Sequence, residues 1–439
     1  VCDRFCAYHG MVSVLSVPCC HRLLADGIKL AVPNQEIKMI LKLNTSMENL
    51  KLTMKDILEN NILNYWIDRV TDHENGGYYG RVDGHENVHP QAEKGAIMNA
   101  RILWAFSAAY RVLKKPEYLE AATRAKEYVR DHFLDKEYGG VYWSVDYKGY
   151  PLDTKKQTYA IGFTIYGMSE YARATGDKEA LDIAISLYHD IEKHAFDSVN
   201  NGYIEALTRE WNPIADMRLS DKDENGSRTM NTHLHIIEPY TNLYRVWKSP
   251  ELEKSIRNLL DIFTDKLLNK ETYHLDLFFN DEWVGKRNIE SYGHDIEASW
   301  LLHETALVLG DKVVLLKIER LIRRIAEAAD EGLRSDGSMV YEHWKDNDKY
   351  DLQRQWWVQC ENIIGHIDLY QYFHTEESLE TAILCWNYVA KHLLDGKNGE
   401  WYWAVLEDGS LNLDDDKAGF WKCPYHNSRM CLELIEREY

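Results

Sequence analysis

Hydrophobic and polar positions along this chain alternate between two kinds of helical segment. The first kind is apolar nearly all round, as in Ala96 to Val112, which marks a helix buried on every side. The second carries one apolar stripe. In Glu117 to Leu134, the residues Leu119, Ala122, Tyr128, Val129 and Phe133 share a face with charges opposite, the pattern of a surface helix covering the first. The alternation recurs: inner segments at 158–174, 231–246, 292–309 and 355–373 are followed by outer ones at 178–194, 251–268, 312–331 and 377–394. Lys115-Pro116, Gly176-Asp177, Ser249-Pro250 and Gly310-Asp311 punctuate the pairs. At the ends, an outer-type segment at 54–70 lacks an inner partner and an inner-type segment at 420–436 lacks an outer one. Pairing these two closes a ring of six inner and six outer helices, an all-α, single-domain (α/α)6 barrel. An open solenoid would need polar caps that neither end shows.

A glycine-aromatic turn recurs with the same period. It reads Asn75-Gly76-Gly77-Tyr78-Tyr79, Tyr138-Gly139-Gly140-Val141-Tyr142-Trp143 and Asn201-Gly202-Tyr203. A degenerate copy at Leu275 to Phe279 follows, then Asp336-Gly337-Ser338-Met339-Val340-Tyr341 and Gly399-Glu400-Trp401-Tyr402-Trp403. The steps from Gly77 to Gly140 (63) and from Gly337 to Gly399 (62) mark one repeated supersecondary unit. In a closed repeat, equivalent loops gather at one end, which is where chemistry can collect.

Composition narrows the picture. The 439 residues, 45% of them hydrophobic, can bury a large core, and a net charge of −20 argues against nucleic-acid or anionic-membrane partners. No run of 18 apolar residues exists to span a bilayer. Four of eight cysteines fall in the first twenty residues, and Cys423 and Cys431 lack metal or redox spacing, so free thiols in a reducing cytoplasm are expected. Residues 1–46 lack the repeat and carry only a weak signal-peptide pattern. They read as a poorly packed leader foreign to the rest of the chain, an upstream extension of the reading frame, with initiation near Met47 or Met54 and the barrel occupying 47–439.

Polar groups inside buried helices are costly unless used. Each inner helix opens with one: Arg101, Tyr159, His235, His294, Trp357 and His426. In a closed ring all six face one end of the cavity. Three converging histidines admit a metal site, with His233-x-His235 as a ligand pair, but residues two apart on a helix point roughly opposite ways. The other reading is acid–base work by imidazoles. Glu297, one turn after His294, is placed to orient an imidazole. Fourteen Trp and 28 Tyr exceed core needs, and flat apolar faces with polar tips suit sugar rings. No phosphate-cradling glycine motif occurs.

The segments Lys94-Gly95 with Arg101-Ile102-Leu103-Trp104, Met230-Asn231-Thr232-His233-Leu234-His235, Ser291-Tyr292-Gly293-His294-Asp295-Ile296-Glu297 and Trp421-Lys422-Cys423-Pro424-Tyr425-His426-Asn427 resemble the N-acylglucosamine 2-epimerase superfamily, on its disaccharide-specific side. The resemblance covers about Met54 to Glu438. It implies reversible inversion of C2 in the reducing-end glucose of β-1,4-linked disaccharides, without a cofactor or metal. It also implies that His294 and His426 are the paired acid–base groups, that His235 serves ring opening, and that Arg101 faces the C1 and C2 oxygens. Tyr159, Asn231, Glu297, Trp357 and Trp421 match substrate-contacting positions. The expected partner is a small disaccharide, and the expected assembly a monomer or weak homodimer. The alternatives are an N-acylglucosamine 2-epimerase or an aldose–ketose isomerase on the same barrel. Further off stand a glycoside hydrolase or lyase using Glu297 and Glu361, and a non-catalytic sugar-binding module.

Overall fold

Twelve helices alternate around a ring in the computed structural model, which describes residues 47–438. The chain divides into units of residues 1–50 and 51–439. Of the first, residues 47–50 are described and are helical; the expected leader lies outside the described residues. In the second unit α1 runs over residues 51–70 with π-helical turns at Ile57–Leu63 and Trp66–Val70. Then come α2 (Ala96–Leu113), α3 (Pro116–Tyr128), α4 (Thr158–Thr175), α5 (Lys178–His194), α6 (Met230–Val246) and α7 (Pro250–Ile262). The series ends with α8 (Tyr292–Leu309), α9 (Lys312–Ala329), α10 (Trp356–Phe373), α11 (Glu376–His392) and α12 (His426–Glu436).

The even-numbered helices form the inner ring. Each packs on the next, and α12 packs on both α10 and α2, so the ring closes. Every residue of α2 from Ala96 to Ala109 is buried, as a helix with neighbours on all sides requires. Each outer helix covers the inner helix beside it, and α1 covers α12, the pairing of chain ends that the hydropathy pattern calls for. The fold is the expected (α/α)6 barrel.

The period of the turns has a physical basis in two sets of short antiparallel pairings. Six hairpins bridge Thr71 to Tyr78, Leu134 to Val141, Phe196 to Tyr203, Leu268 to Leu275, Leu333 to Met339 and Leu394 to Trp401. The degenerate fourth copy therefore folds like the others. A second set joins neighbouring repeats: Lys94 pairs with Val145, Lys156 with Leu207, Arg228 with Phe279, Ile289 with Trp344 and Arg354 with Val405. Val82 with Ala418 is the equivalent pairing between first and last repeats. Gly76, Gly77, Gly139 and Gly140 all have positive φ, which explains the tandem glycines of the first two turns.

Ion pairs, buried in three cases and half-buried at Asp197, pin four of these hairpins. The Asp72 carboxylate accepts from the Glu74 and Asn75 amides, closing the turn, and from Lys94 Nζ at 2.8 Å. Asp135 with Lys156 (2.8 Å), Asp197 with Arg228 and Asp395 with Lys417 repeat the device. Burial alone would raise the Asp135 carboxyl, but hydrogen bonds from Arg209 and Lys156 override it and hold it well below the ordinary carboxylate range. A depressed carboxyl stabilises the fold fully above its unfolded pKa, and that contribution disappears as pH falls through the native value.

One boundary differs from expectation. The last inner helix begins at His426, not Phe420. Pro424 disfavours helical geometry at the residue before it, and Trp421 instead turns its carbonyl toward Arg101 Nη1 at 3.5 Å.

Breaking one hairpin pair should be costly, because the surviving charge is left buried. Lys94→Met should lower unfolding free energy by about 3–5 kcal/mol in urea titration. A loss under about 1 kcal/mol would show that Asp72 finds another partner.

Candidate active site

The inner helices deliver their polar residues into one connected cluster. From α2, Arg101 places its guanidinium 4.1 Å from the Phe163 ring centroid and 4.7 Å from that of Tyr425, and donates to Tyr159 Oη at 2.7 Å. Aromatic faces thus hold a fully buried cation in place. Tyr159 of α4 also meets the His235 ring at 5.0 Å, and Trp421 lies 6.1 Å away. Arg101, Tyr159, His235 and Trp421 are neighbours.

His294 and His426 share a neighbour in Trp357. Both lie against the indole of Trp357, at 4.8 and 5.6 Å between ring centroids. The Trp357 indole N–H is fixed by Gln355 Oε1 at 2.8 Å. Gly293 makes room for that indole, since a methyl there would stand 2.8 Å from its ring. Asn231, one turn before His235 on α6, is half-buried, and its Oδ1 lacks a hydrogen-bond partner.

Beneath the imidazoles lies a buried charge network. Arg429 of α12 donates through Nη2 to Glu297 Oε1 at 2.6 Å and Glu361 Oε1 at 2.7 Å, and through Nη1 to Glu238. Glu361 Oε2 accepts from Trp300 Nε1 at 3.0 Å. Burial raises the Glu361 carboxyl while Arg429 opposes it; in its ionised form Glu361 accepts the His426 Nδ1–H at 2.6 Å, which leaves His426 Nε2 bare. Glu238 is held ionised by Arg429, so His235 Nδ1 donates to its Oε2 at 3.0 Å, while Tyr425 and Arg429 donate to Oε1. His294 Nδ1 shares a 2.8 Å hydrogen bond with Ser291 Oγ.

These surroundings set the charges. Burial, with His235 nearby, pushes His294 down to about 3. Burial and the positive field of Arg101 and Arg429 push His426 well below the usual imidazole range. Both imidazoles are therefore neutral in the free protein at neutral pH. Glu238 is kept at about 2: burial opposes ionisation, but Arg429 and His235 overcome it. Burial and the adjacent Glu361 lift Glu297 to about 7.

Some expectations change. Glu297 does not orient His294, as its place one turn later suggested. It points to His235 Nε2 and His426 Nδ1, 3.9 Å from each, and Ser291 holds His294. Glu361 and Glu297 do not oppose one another across a cavity but share one guanidinium, an arrangement unsuited to glycoside hydrolysis. His233 spends Nδ1 on the Thr229 carbonyl (2.7 Å) and Nε2 on the Tyr203 amide (3.1 Å), so it is no ligand partner for His235. Donor atoms of Glu297, Glu361 and His426 lie within 4.8 Å of one another, but Arg429 already supplies the positive charge between those carboxylates. Sequence reasoning missed Glu238, Tyr425 and Arg429. The available signal was a charge inside an otherwise apolar inner helix, which Glu238 and Arg429 both provide.

The match to known proteins is broad. The family model described as N-acylglucosamine 2-epimerase (GlcNAc 2-epimerase) covers residues 77–429. The chain belongs to the N-acylglucosamine 2-epimerase family. As a member it is a carbohydrate epimerase, an isomerase by class. It is 59% identical over 388 residues to the cellobiose 2-epimerase of Bacteroides fragilis, covering 88% of this chain and 99% of the relative. The Ruminococcus albus cellobiose 2-epimerase is 38% identical over 381 residues, 87% of this chain and 97% of its own. The solved cellobiose 2-epimerase of Bacillus thermoamylovorans superposes with a TM-score of 0.84 at 43% identity, over 90% of this chain and 100% of that one.

Because the Glu297 pKa is raised, its ionisation opposes folding: stability is complete below its unfolded value, near the ordinary 4.5, and falls as pH rises through about 7. Glu297→Gln should flatten that decline between about pH 4.5 and 7 in denaturation experiments. An unchanged slope would place the buried proton elsewhere.

Proposed function

We propose that this protein reversibly inverts C2 of the reducing-end glucose in β-1,4-linked disaccharides, converting cellobiose to glucosyl-mannose and lactose to epilactose. The observation that carries the reading is the pair of imidazoles, His294 and His426, packed on one indole beside a buried guanidinium. High identity to cellobiose 2-epimerases supports the choice of substrate.

The chemistry follows from what inversion needs. A cyclic aldose must open to expose an aldehyde, which acidifies the C2 proton. His235, with Nδ1–H committed to Glu238, presents Nε2 for the proton transfers of ring opening. One of His294 and His426 then removes the C2 proton, and the other returns one from the opposite face. An enediolate lies between these steps, its charge held by Arg101. A neutral imidazole is ready to accept a proton, and negative charge developing beside it stabilises the imidazolium that results. Tyr159 fixes Arg101, Trp357 and Trp421 give apolar faces to the sugar rings, and the open Oδ1 of Asn231 is a hydroxyl acceptor. Glu297 tunes the histidines from below.

Among the described residues, no helix is long and apolar enough to cross a membrane. Four buried free cysteines, Cys360, Cys385, Cys423 and Cys431, suit the cytoplasmic location we infer.

Incubation with cellobiose in D2O, read by NMR, tests the reaction: deuterium should enter C2 of the product. His294→Ala and His426→Ala should each lose on the order of 10²-fold or more in kcat. Epimerisation without exchange at C2 would refute proton abstraction there, and a ketose as main product would indicate isomerisation instead.

A further inference from the structure

The backbone under His235 is not helical. His235 has φ −91° and ψ 17° within α6, and Pro239 lies four residues on. Proline lacks the N–H that would bond the carbonyl four residues earlier, and its ring clashes with that carbonyl. The carbonyl so displaced is that of His235 itself. It comes to rest on the neighbouring inner helix, against Gly162: a methyl built there would stand 2.4 Å from the His235 oxygen.

Gly162 sits in the interior of α4, where glycine is a poor helix former and alanine the best. Its φ is not left-handed, so turn geometry does not demand glycine. Close approach does. The residues around it are those that hold His235: Tyr159, one turn earlier, and Phe163, adjacent, whose rings lie 5.0 and 4.9 Å from the imidazole. Both also touch Arg101.

We propose that Gly162 is a positioning residue for His235. Pro239 throws the His235 carbonyl out of its helix, and only a side-chain-free position 162 can receive it while keeping Tyr159 and Phe163 against the imidazole. The assignment rests on the reading of His235 as the ring-opening group, and its physical core is the coupling between positions 162 and 239.

A double-mutant cycle on the full chain tests it. In the wild-type background, Gly162→Ala pushes a methyl into the displaced carbonyl. It should lower kcat on cellobiose by about tenfold or more while KM stays within about threefold, since an ångström of misplacement is costly. Pro239→Ala restores the N–H that can draw the carbonyl back into α6. In that background the same Gly162→Ala change should cost less than about threefold. Equal losses in both backgrounds, or no loss in either, would overturn the proposal. So would unfolding of both G162A and G162A/P239A, which would make the glycine a packing residue only; a double variant that folds where G162A does not supports it. Wild-type protein assayed alongside keeps the two readings apart: absence of C2 exchange there refutes the epimerase assignment, not the coupling, which thermal stability across the same four proteins still reports.

Discussion

One guanidinium facing three buried carboxylates is the constraint on which this site depends. Glu238, Glu297 and Glu361 come from α6, α8 and α10, and Arg429 from α12. Buried charges survive only when paired and hydrogen-bonded, so these four helices must reach a common point for any of them to be tolerated. Arg429 cancels one negative charge of three, and the rest of the balance falls to protons. That imbalance explains why Glu238 ionises readily while Glu297 does not. It also explains why the imidazoles of His235 and His426 find hydrogen-bond acceptors beneath them.

The barrel supplies what the network cannot. Its inner helices hold functional residues at their starts, just after the paired hairpins, and those hairpins are locked to each other around the ring. Asp72 with Lys94 and Asp135 with Lys156 fix where α2 and α4 begin, and therefore where Arg101 and Tyr159 point. Rigidity there is what holds residues from the first and last repeats, Arg101 and His426, in one cluster.

Much of this was legible in the chain. Two hydropathy patterns alternating at one period indicate paired helices, and unmatched segments at the ends indicate closure. Arg101, His235, His294 and His426 stand out because each is polar where burial is expected. Partners were harder to read. Glu297 lies one turn from His294, yet helix rotation aims it at His235 and His426 instead, and no spacing rule covers contacts between helices. The start of α12 was misplaced because the aromatic run from Phe420 continues the apolar pattern, although Pro424 interrupts the backbone. Gly162 carried no sequence signal at all, since its role depends on a carbonyl displaced by a proline 77 residues away.

This network should present His426 as a neutral imidazole with its proton on Nδ1 and its Nε2 free. Nitrogen-15 NMR of the histidine rings, recorded on substrate-free protein at neutral pH, addresses it directly. The expected spectrum contains one ring with a protonated Nδ1 and a bare Nε2, lost in His426→Ala. A doubly protonated His426, or one carrying its proton on Nε2, would contradict it.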